Sequence, residues 1–149
     1  MAGIIRVRKW VGCLAGCGFA ALLVVAASPR LRSAEAPLIK LPRLPAPDGR
    51  TIDATPPSNG ATVVIFYSSE CPISNAYSPA LNRLSAELPP GRVKIIGLCV
   101  DPDLSDADVR THAKDFELKF PIARDREGTI ARRLGATVTP EAFVIDGQG

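Results

Sequence analysis

The sequence predicts an α/β fold, a sheet with parallel strand pairs and with helices on its faces. Runs of β-branched and aromatic residues without polar alternation indicate strands that are buried on both faces. Segments with helical periodicity and capping residues separate these runs. The resulting order is strand, helix, strand, helix, short strand, short helix, strand, and such alternation is typical of a sheet with parallel pairs.

The first part of the predicted fold runs from an extended lead-in to a long helix. Six prolines in residues 37–60 exclude a helix or a central strand, so this segment is predicted to be extended, with a turn at Asp48-Gly49. Residues 62–67 form the first buried strand. Cys71-Pro72 then opens a helix, because proline suits a first helical turn. Its predicted apolar stripe consists of Ala76, Ala80, Leu81, Leu84 and Leu88.

The second part alternates shorter elements. They are predicted strands at residues 93–100, 120–123 and 142–145, and predicted helices at residues 105–116 and 129–134. Ser105 with Asp108 three residues later forms a capping box, and Gly135 closes the last helix. Functional sites in such sheets gather at the carboxyl ends of strands. Cys71 lies at one of these ends and Cys99 lies near another.

The first 36 residues have the pattern of an export segment. The uncharged run of residues 10–27 follows a basic flank formed by Arg6, Arg8 and Lys9. Three fates stay open: a cleaved signal peptide, an uncleaved membrane anchor through residues 10–27, and a lipoprotein with lipidated Cys17. Each fate places residues 37–149, the predicted folded domain, outside the cytoplasm, in the periplasm or secreted.

Charge and cysteine content exclude several classes of protein. The formal net charge is +3, and its basic excess lies within residues 1–36, so the folded domain has no basic surplus for nucleic acid. Beyond that segment only Cys71 and Cys99 remain, which allows at most one disulfide. His112, the only histidine, does not complete a recognisable metal site with them, so no metal or other cofactor is predicted. We interpret His112 as a surface or packing residue.

Two charged clusters are interpreted as solvent-exposed. Asp101, Asp103, Asp106 and Asp108 fit an exposed helix start, because acidic residues favour helix N-termini. Residues 124–127, Arg-Asp-Arg-Glu, fit an exposed turn.

Cys71 is the strongest candidate for chemistry. A thiol at a helix N-terminus can have its pKa lowered from about 8.5 to about 3.5–7.5, which makes it a thiolate nucleophile at neutral pH. The alternative is an inert cysteine at the end of a strand. Ser74, three residues on, cannot form a disulfide. Its hydroxyl can either donate to the Cys71 thiolate or bind its own backbone at the helix start.

Part of the chain resembles a known superfamily. Residues 63–88, with Cys71-Pro72 and with Pro79 eight residues after the cysteine, resemble the first strand and active-site helix of the thioredoxin-like superfamily. Residues 94–101 and 139–146 resemble its redoxin branch, which holds peroxiredoxin-like proteins of the alkyl hydroperoxide reductase and thiol-specific antioxidant type and related exported thiol-disulfide reductases. The resemblance covers about residues 37–149. It implies a mixed sheet with helices on both faces, here without the family's usual C-terminal strand and helix.

The resemblance also implies roles for individual residues. Cys71 would be the attacking thiol, with Ser68 and Ser74 holding its anion. The Thr139-Pro140 bond would be cis and packed beside Cys71. The predicted strands, rather than the resemblance, suggest a role for Cys99: its strand should neighbour that of Cys71, so it is either a resolving thiol or a small buried residue of its strand.

The sequence departs from the patterns of both branches. Peroxiredoxins usually carry proline seven residues before the cysteine, where this chain has Val64. Thioredoxin-type reductases carry tryptophan before the cysteine and a second cysteine three residues after it, where this chain has Glu70 and Ser74.

Three functions follow from these residues. The first is an exported antioxidant oxidoreductase, in which the Cys71 thiolate reduces a peroxide, becomes a sulfenic acid, and is restored by Cys99 or an external thiol. The second is a monothiol protein that exchanges disulfides with partner proteins. The third is a non-catalytic accessory module with a redoxin fold.

Overall fold

The structure, a computed structural model, describes residues 39–147. The strands in this range are β1 (Arg43–Pro45), β2 (Thr51–Asp53), β3 (Ala61–Tyr67), β4 (Val93–Cys99), β5 (Ile122–Arg124) and β6 (Glu141–Asp146). The helices are α1 (Pro72–Glu87), α2 (Asp106–Asp115) and α3 (Thr129–Leu134). The predicted alternation of strands and helices is confirmed.

The central sheet has four strands in the order β5-β4-β3-β6. β4 runs parallel to both β3 and β5, and β6 runs antiparallel to β3. β3 is buried on both faces along most of its length, as its apolar sequence predicts. Because β4 is parallel and β6 antiparallel to it, the carboxyl end of β3 lies beside the end of β4 and the start of β6.

Each face of the sheet carries its own apolar core. On one face, Val64 and Phe66 pack with Ile130 of α3 and Leu44 of β1. On the other face, Ile65 packs with residues from α1 and α2, including Leu81 and Val109. Helices therefore cover both faces, as the resemblance implied.

The proline-rich lead-in forms a two-stranded hairpin. β1 and β2 pair antiparallel around the predicted Asp48-Gly49 turn, where Gly49 has a positive φ of 83°. Leu44, on β1, is buried in the core between the hairpin and the sheet. The turn was predicted, whereas the short paired strands that flank it were not.

Local capping signals are confirmed at two helices. Ser105 and Asp108 form the predicted capping box at α2, with the Asp108 amide donating to Ser105 Oγ at 3.1 Å. Gly135 ends α3 in the left-handed conformation, with a φ of 74°.

The start of α3 corrects one interpretation. Residues 124–127 were expected to form an exposed turn, but Asp125 is buried. Its carboxylate accepts hydrogen bonds from the backbone amides of Ile130 and Ala131, at 2.9–3.1 Å. Gly128, at the N-cap position, has no side chain with which to cap the helix. Asp125, three residues before Gly128, accepts instead from these otherwise unpaired amides, which lie five and six residues after it.

The buried face of α1 also differs from the prediction. The helix runs through Pro79 without ending, but Ala76 and Leu84 of the expected stripe are exposed. Ser74 and Ser78 are buried in their place, with Leu81 partly buried beside them. Small serine side chains let the first turns of the helix lie close to the sheet, and simple apolar periodicity does not reveal this.

The predictions for residues 1–36, including the signal peptide, membrane anchor and lipidated Cys17, lie outside the described residues and stay predictions. Within residues 39–147, no helix combines the length and apolar character needed to cross a membrane.

We expect Asp125→Ala to lower the free energy of unfolding by about 1–3 kcal/mol, because it leaves the buried Ile130 amide and the partly buried Ala131 amide without an acceptor. Urea denaturation of the full chain measures this. Asp125→Asn keeps an acceptor oxygen and should lose less. Asp103→Ala, at an exposed acidic residue, is the matched control. An Asp125→Ala variant as stable as the control would contradict this account.

Candidate active site

Cys71 lies where β3 gives way to α1. It is the N-cap residue of α1, with extended backbone angles (φ −83°, ψ 111°), and Pro72 follows as the first helical residue. The Cys71 amide donates to the Ser68 carbonyl at 3.2 Å, and the Cys71 carbonyl accepts from the Asn75 amide at 3.1 Å. The turn before the helix and the first helical hydrogen bond together fix the backbone of Cys71. Its side chain is partly exposed.

The loop before β6 supplies the second part of the site. Because β6 pairs with β3, Thr139 comes within reach of Cys71 although 68 residues separate them. The Cys71 thiol donates to the Thr139 carbonyl oxygen at 3.4 Å. The Thr139-Pro140 bond is cis, as the resemblance predicted. Glu141 steadies this loop, since its carboxylate accepts from the Thr137 amide at 2.8 Å.

The surroundings of Cys71 favour its thiolate. The backbone amide of Ser74 is the main cause that lowers the pKa of the Cys71 thiol, and the Ser74 hydroxyl is the next. The Cys71 side chain does not cap the helix, and the free backbone amides of the first turn of α1 point toward this end of the helix. Their dipoles favour a negative charge on the sulfur. Within the described residues, Ser74 Oγ is buried without a hydrogen-bond partner. Its hydroxyl is therefore available to an anionic sulfur.

Ser68 holds the turn that precedes Cys71. Its carbonyl accepts from the Cys71 amide, and its hydroxyl accepts from the Glu70 amide at 3.2 Å. The structure thus brings Ser68, Ser74 and Thr139 to Cys71, with Ser68 acting on the backbone of the loop and Pro140 following Thr139 across the cis bond.

Cys99 lies in a different environment. It is fully buried at the end of β4. Its thiol donates to Asp101 Oδ2 at 3.6 Å, and its sulfur accepts from Arg124 Nη1 at 3.1 Å. Burial is the main cause that raises the pKa of Cys99. Cys71 contacts the loop before β6, and β4 lies on the opposite side of β3, so this arrangement does not bring the two sulfurs together. A resolving role for Cys99 stays a prediction.

Two charged residues near the site lie in surroundings that the sequence did not predict. Arg124 was expected in an exposed turn, but β5 extends to it and its side chain points inward to Cys99. Its Nη2 also donates to the carbonyl oxygens of Asp101 and Leu104, at 3.2 and 2.7 Å. Asp101 was expected at an exposed helix start, but it is partly buried and bonded to Ser69. The signal that could have found Arg124 is strand alternation, which places it on the same face as Ile122.

His112 is half-buried, and its imidazole stacks on Tyr67, with ring centroids 5.7 Å apart. This agrees with the packing role that we expected. Residues 39–147 contain no group of three or more histidine, cysteine or acidic side chains arranged to hold a metal ion.

Comparisons with known proteins agree with this geometry. A profile described as the AhpC/TSA family matches residues 33–149. The thiol-disulfide oxidoreductase ResA of Bacillus thuringiensis subsp. konkukian is 29% identical over 102 residues, which cover 68% of this chain and 58% of ResA. A thiol:disulfide interchange protein DsbE homolog of Paracoccus denitrificans is 34% identical over 96 residues, which cover 60% of this chain and 47% of that protein. The chain therefore spans about half the length of these relatives.

A solved structure confirms the predicted fold. The crystal structure of StoA from Bacillus subtilis superposes with a TM-score of 0.64 at 21% sequence identity. The superposition covers 76% of this chain and 85% of StoA.

We expect the alkylation of Cys71 by iodoacetamide to rise with pH around a midpoint below the ordinary thiol pKa of about 8.5, because the thiolate is the reacting form. Ser74→Ala should move this midpoint to higher pH, since it removes the hydroxyl that helps to lower the Cys71 pKa. Buried Cys99 should stay unmodified at the same pH. Peptide mapping of the full chain by mass spectrometry separates the cysteines. A Cys71 midpoint at or above the ordinary value would contradict the account.

Proposed function

The chain belongs to the AhpC/TSA family of the thioredoxin-like superfamily, and from this premise we propose that it exchanges disulfides with partner proteins through the single thiol of Cys71. One observation carries the proposal. Within the described residues, Cys71 is the only partly exposed thiol, it stands at a helix N-terminus, and Ser74 occupies the position where a dithiol reductase has its second cysteine.

The proposed reaction has two steps. The Cys71 thiolate attacks one sulfur of a partner's disulfide, that S–S bond breaks, and the partner's other sulfur leaves as a thiolate. In the second step an external dithiol attacks the Cys71 sulfur, which releases the partner's second sulfur as a thiolate, and the dithiol's other sulfur then attacks to form the dithiol's own disulfide and free the Cys71 thiolate. The partner is left with two thiols and the dithiol is oxidised. Ser74 cannot carry out this second attack, so the mixed disulfide persists until an external thiol arrives.

The surface beside Cys71 supports a protein as the partner. Ile73 and Tyr77 lie on the outer face of α1 with exposed fractions of 60% and 53%, and Val138 in the loop before β6 is 62% exposed. Large exposed apolar side chains on α1 and on the loop before β6, the two segments that meet at the sulfur, favour contact with an apolar polypeptide segment. The names of ResA and the DsbE homolog, a thiol-disulfide oxidoreductase and a thiol:disulfide interchange protein, agree with disulfide exchange as the reaction.

Peroxide reduction is the second candidate, and the family match itself favours it. In that reaction the Cys71 thiolate would attack a peroxide oxygen, the O–O bond would break, and a sulfenic acid and an alcohol or water would form. Peroxiredoxins direct an arginine at the reacting thiolate. Here the buried guanidinium of Arg124 is bonded to Cys99 and to two carbonyls. This commitment of Arg124 makes disulfide exchange the stronger proposal.

Export of the protein is part of the proposal and rests on the pattern of residues 1–36. Membrane anchoring through residues 10–27 is a prediction with the same basis.

Trapping of a mixed disulfide tests the proposal. The full chain is mixed with a peptide that carries one disulfide flanked by apolar residues, and adducts are mapped by mass spectrometry. We expect a Cys71 adduct in the parent and none at this position in Cys71→Ser. Ser74→Cys supplies an internal thiol, so we expect its adduct to decline and its turnover with dithiothreitol to rise by roughly tenfold or more.

Parallel measurement of hydrogen peroxide consumption separates the two candidates. Peroxide consumption that requires Cys71, without any peptide adduct, would replace disulfide exchange by peroxide reduction. Absence of both reactions in a folded parent would favour the non-catalytic accessory module.

A further inference from the structure

The residue two positions before Cys71 is held from both sides by side chains of other elements. We propose that Asp101 and Asn75 form a clamp on Ser69, here called the Ser69 clamp, and that both act as positioning residues for Cys71. The two side chains hold the loop that carries the sulfur, and this role rests on the proposed function of Cys71 as the reacting thiol.

Asp101 holds the amide side of Ser69. Its Oδ2 accepts from the Ser69 amide at 2.7 Å and from the Ser69 hydroxyl at 2.8 Å. Partial burial pushes the pKa of Asp101 up, but interactions with Ser68 and Ser69 outweigh burial and leave the pKa below its ordinary value. The carboxylate is therefore ionised at neutral pH, where both bonds are charge-assisted.

Asn75 holds the carbonyl side of Ser69. Its Nδ2 donates to the Ser69 oxygen at 2.9 Å. With the NH₂ group so used, Asn75 Oδ1 faces His112 Nε2 at 2.8 Å, so Nε2 carries the proton of the neutral imidazole. Burial is the main cause that lowers the pKa of His112, which keeps the ring neutral. The ring is itself fixed by stacking on Tyr67.

Asp101 is in turn anchored to the sheet. Arg124 Nη2 donates to the Asp101 carbonyl at 3.2 Å, while Arg124 Nη1 donates to Cys99, whose thiol donates to Asp101 Oδ2. Cys99 therefore links the buried guanidinium of Arg124 to the carboxylate of Asp101, and its thiol has a structural role. The supports of the Ser69 clamp come from the ends of β4 and β5 on one side and from α1 and α2 on the other.

The clamp and the negative charge of Asp101 have opposite effects on the pKa of Cys71. A nearby carboxylate disfavours a thiolate and raises its pKa. A fixed loop, in contrast, keeps the sulfur in place at the start of α1, where the amides lower its pKa. Removal of Asp101 therefore raises the Cys71 pKa if positioning dominates and lowers it if charge dominates.

The test measures the Cys71 pKa by pH-dependent iodoacetamide alkylation of the full chain, with peptide mapping. For Asp101→Ala we expect a higher pKa and, at a pH one unit or more below the parent midpoint, alkylation that is slower by roughly three- to tenfold, which corresponds to a rise of about half a unit to one unit. Asp101→Asn keeps an acceptor oxygen and should restore most of the parent rate. Asn75→Ala should shift the pKa in the same direction as Asp101→Ala.

Asn82→Ala is the matched control. Asn82 lies on α1 and also bridges to another segment, with Nδ2 donating to the Glu117 carbonyl at 2.9 Å and Oδ1 accepting from the Lys119 amide at 2.8 Å. Its loss should weaken packing without a change in the Cys71 pKa. The control separates positioning from a general loss of stability.

A lower Cys71 pKa in both Asp101 variants would overturn the proposal in favour of a charge effect, and an unchanged pKa would overturn it in favour of a purely structural role. If Asp101→Ala does not fold, Asn75→Ala decides alone, and an unchanged pKa in that variant overturns the clamp. Because the readout is the thiol pKa, it is independent of partner reduction. A parent that alkylates as expected but forms no peptide adduct refutes the proposed function and leaves the clamp standing.

Discussion

The burial of β3 on both faces, between a parallel and an antiparallel neighbour, is the constraint on which the site depends. This pairing brings three chain segments to one end of the sheet: the exit of β3, the end of β4 and the start of β6. Cys71 leaves the first segment, Asp101 follows the second and Thr139 precedes the third. A slip of one residue in either pairing would exchange the two faces of β3, so that Val64 and Phe66 would lose their places in one core and Ile65 its place in the other. The core that fixes the register therefore also fixes which backbone groups meet the sulfur.

The same sheet end gives its two thiols opposite properties. Cys71 lies beyond the last paired residue of β3, where chain exit and helix start leave the sulfur partly exposed among amide dipoles. Cys99 is still within β4, where α2 and the side chain of Arg124 seal it. Solvation and local dipoles thus lower one pKa and raise the other. Cys71 is accessible because it lies beyond the end of its strand, and Cys99 is inaccessible because it lies within its strand.

Signals confined to a few residues predicted most of the architecture. The Ser105 capping box, Gly135 and Pro72 act within one helical turn, so the sequence alone indicates the ends of these helices. Arg124 and Asp101 were misplaced because their partners are distant in sequence, and burial of charged groups depends on partners that only the fold supplies. The buried serines of α1 were missed for a related reason. The close approach of α1 to the sheet favours small side chains at the contact. Serines at these positions do not add to the helical periodicity of apolar residues, so the sequence pattern does not reveal them.

Ser74 shows how one substitution can divide a reaction between two molecules. In a dithiol protein, the second sulfur at this position competes for the mixed disulfide and sets its lifetime. A buried hydroxyl at the same position keeps the capacity to stabilise the Cys71 thiolate but cannot attack a disulfide. In the proposed exchange, formation of the adduct would be controlled by groups of this chain, since Ser74 and Thr139 act on the sulfur and the proposed Ser69 clamp would hold its loop. Release of the adduct would fall to the external thiol, because the buried Cys99 is turned toward Asp101 and Arg124. Under this proposal, selectivity for the reductant would lie in the surface near Cys71, to which the exposed side chains of Ile73, Tyr77 and Val138 contribute.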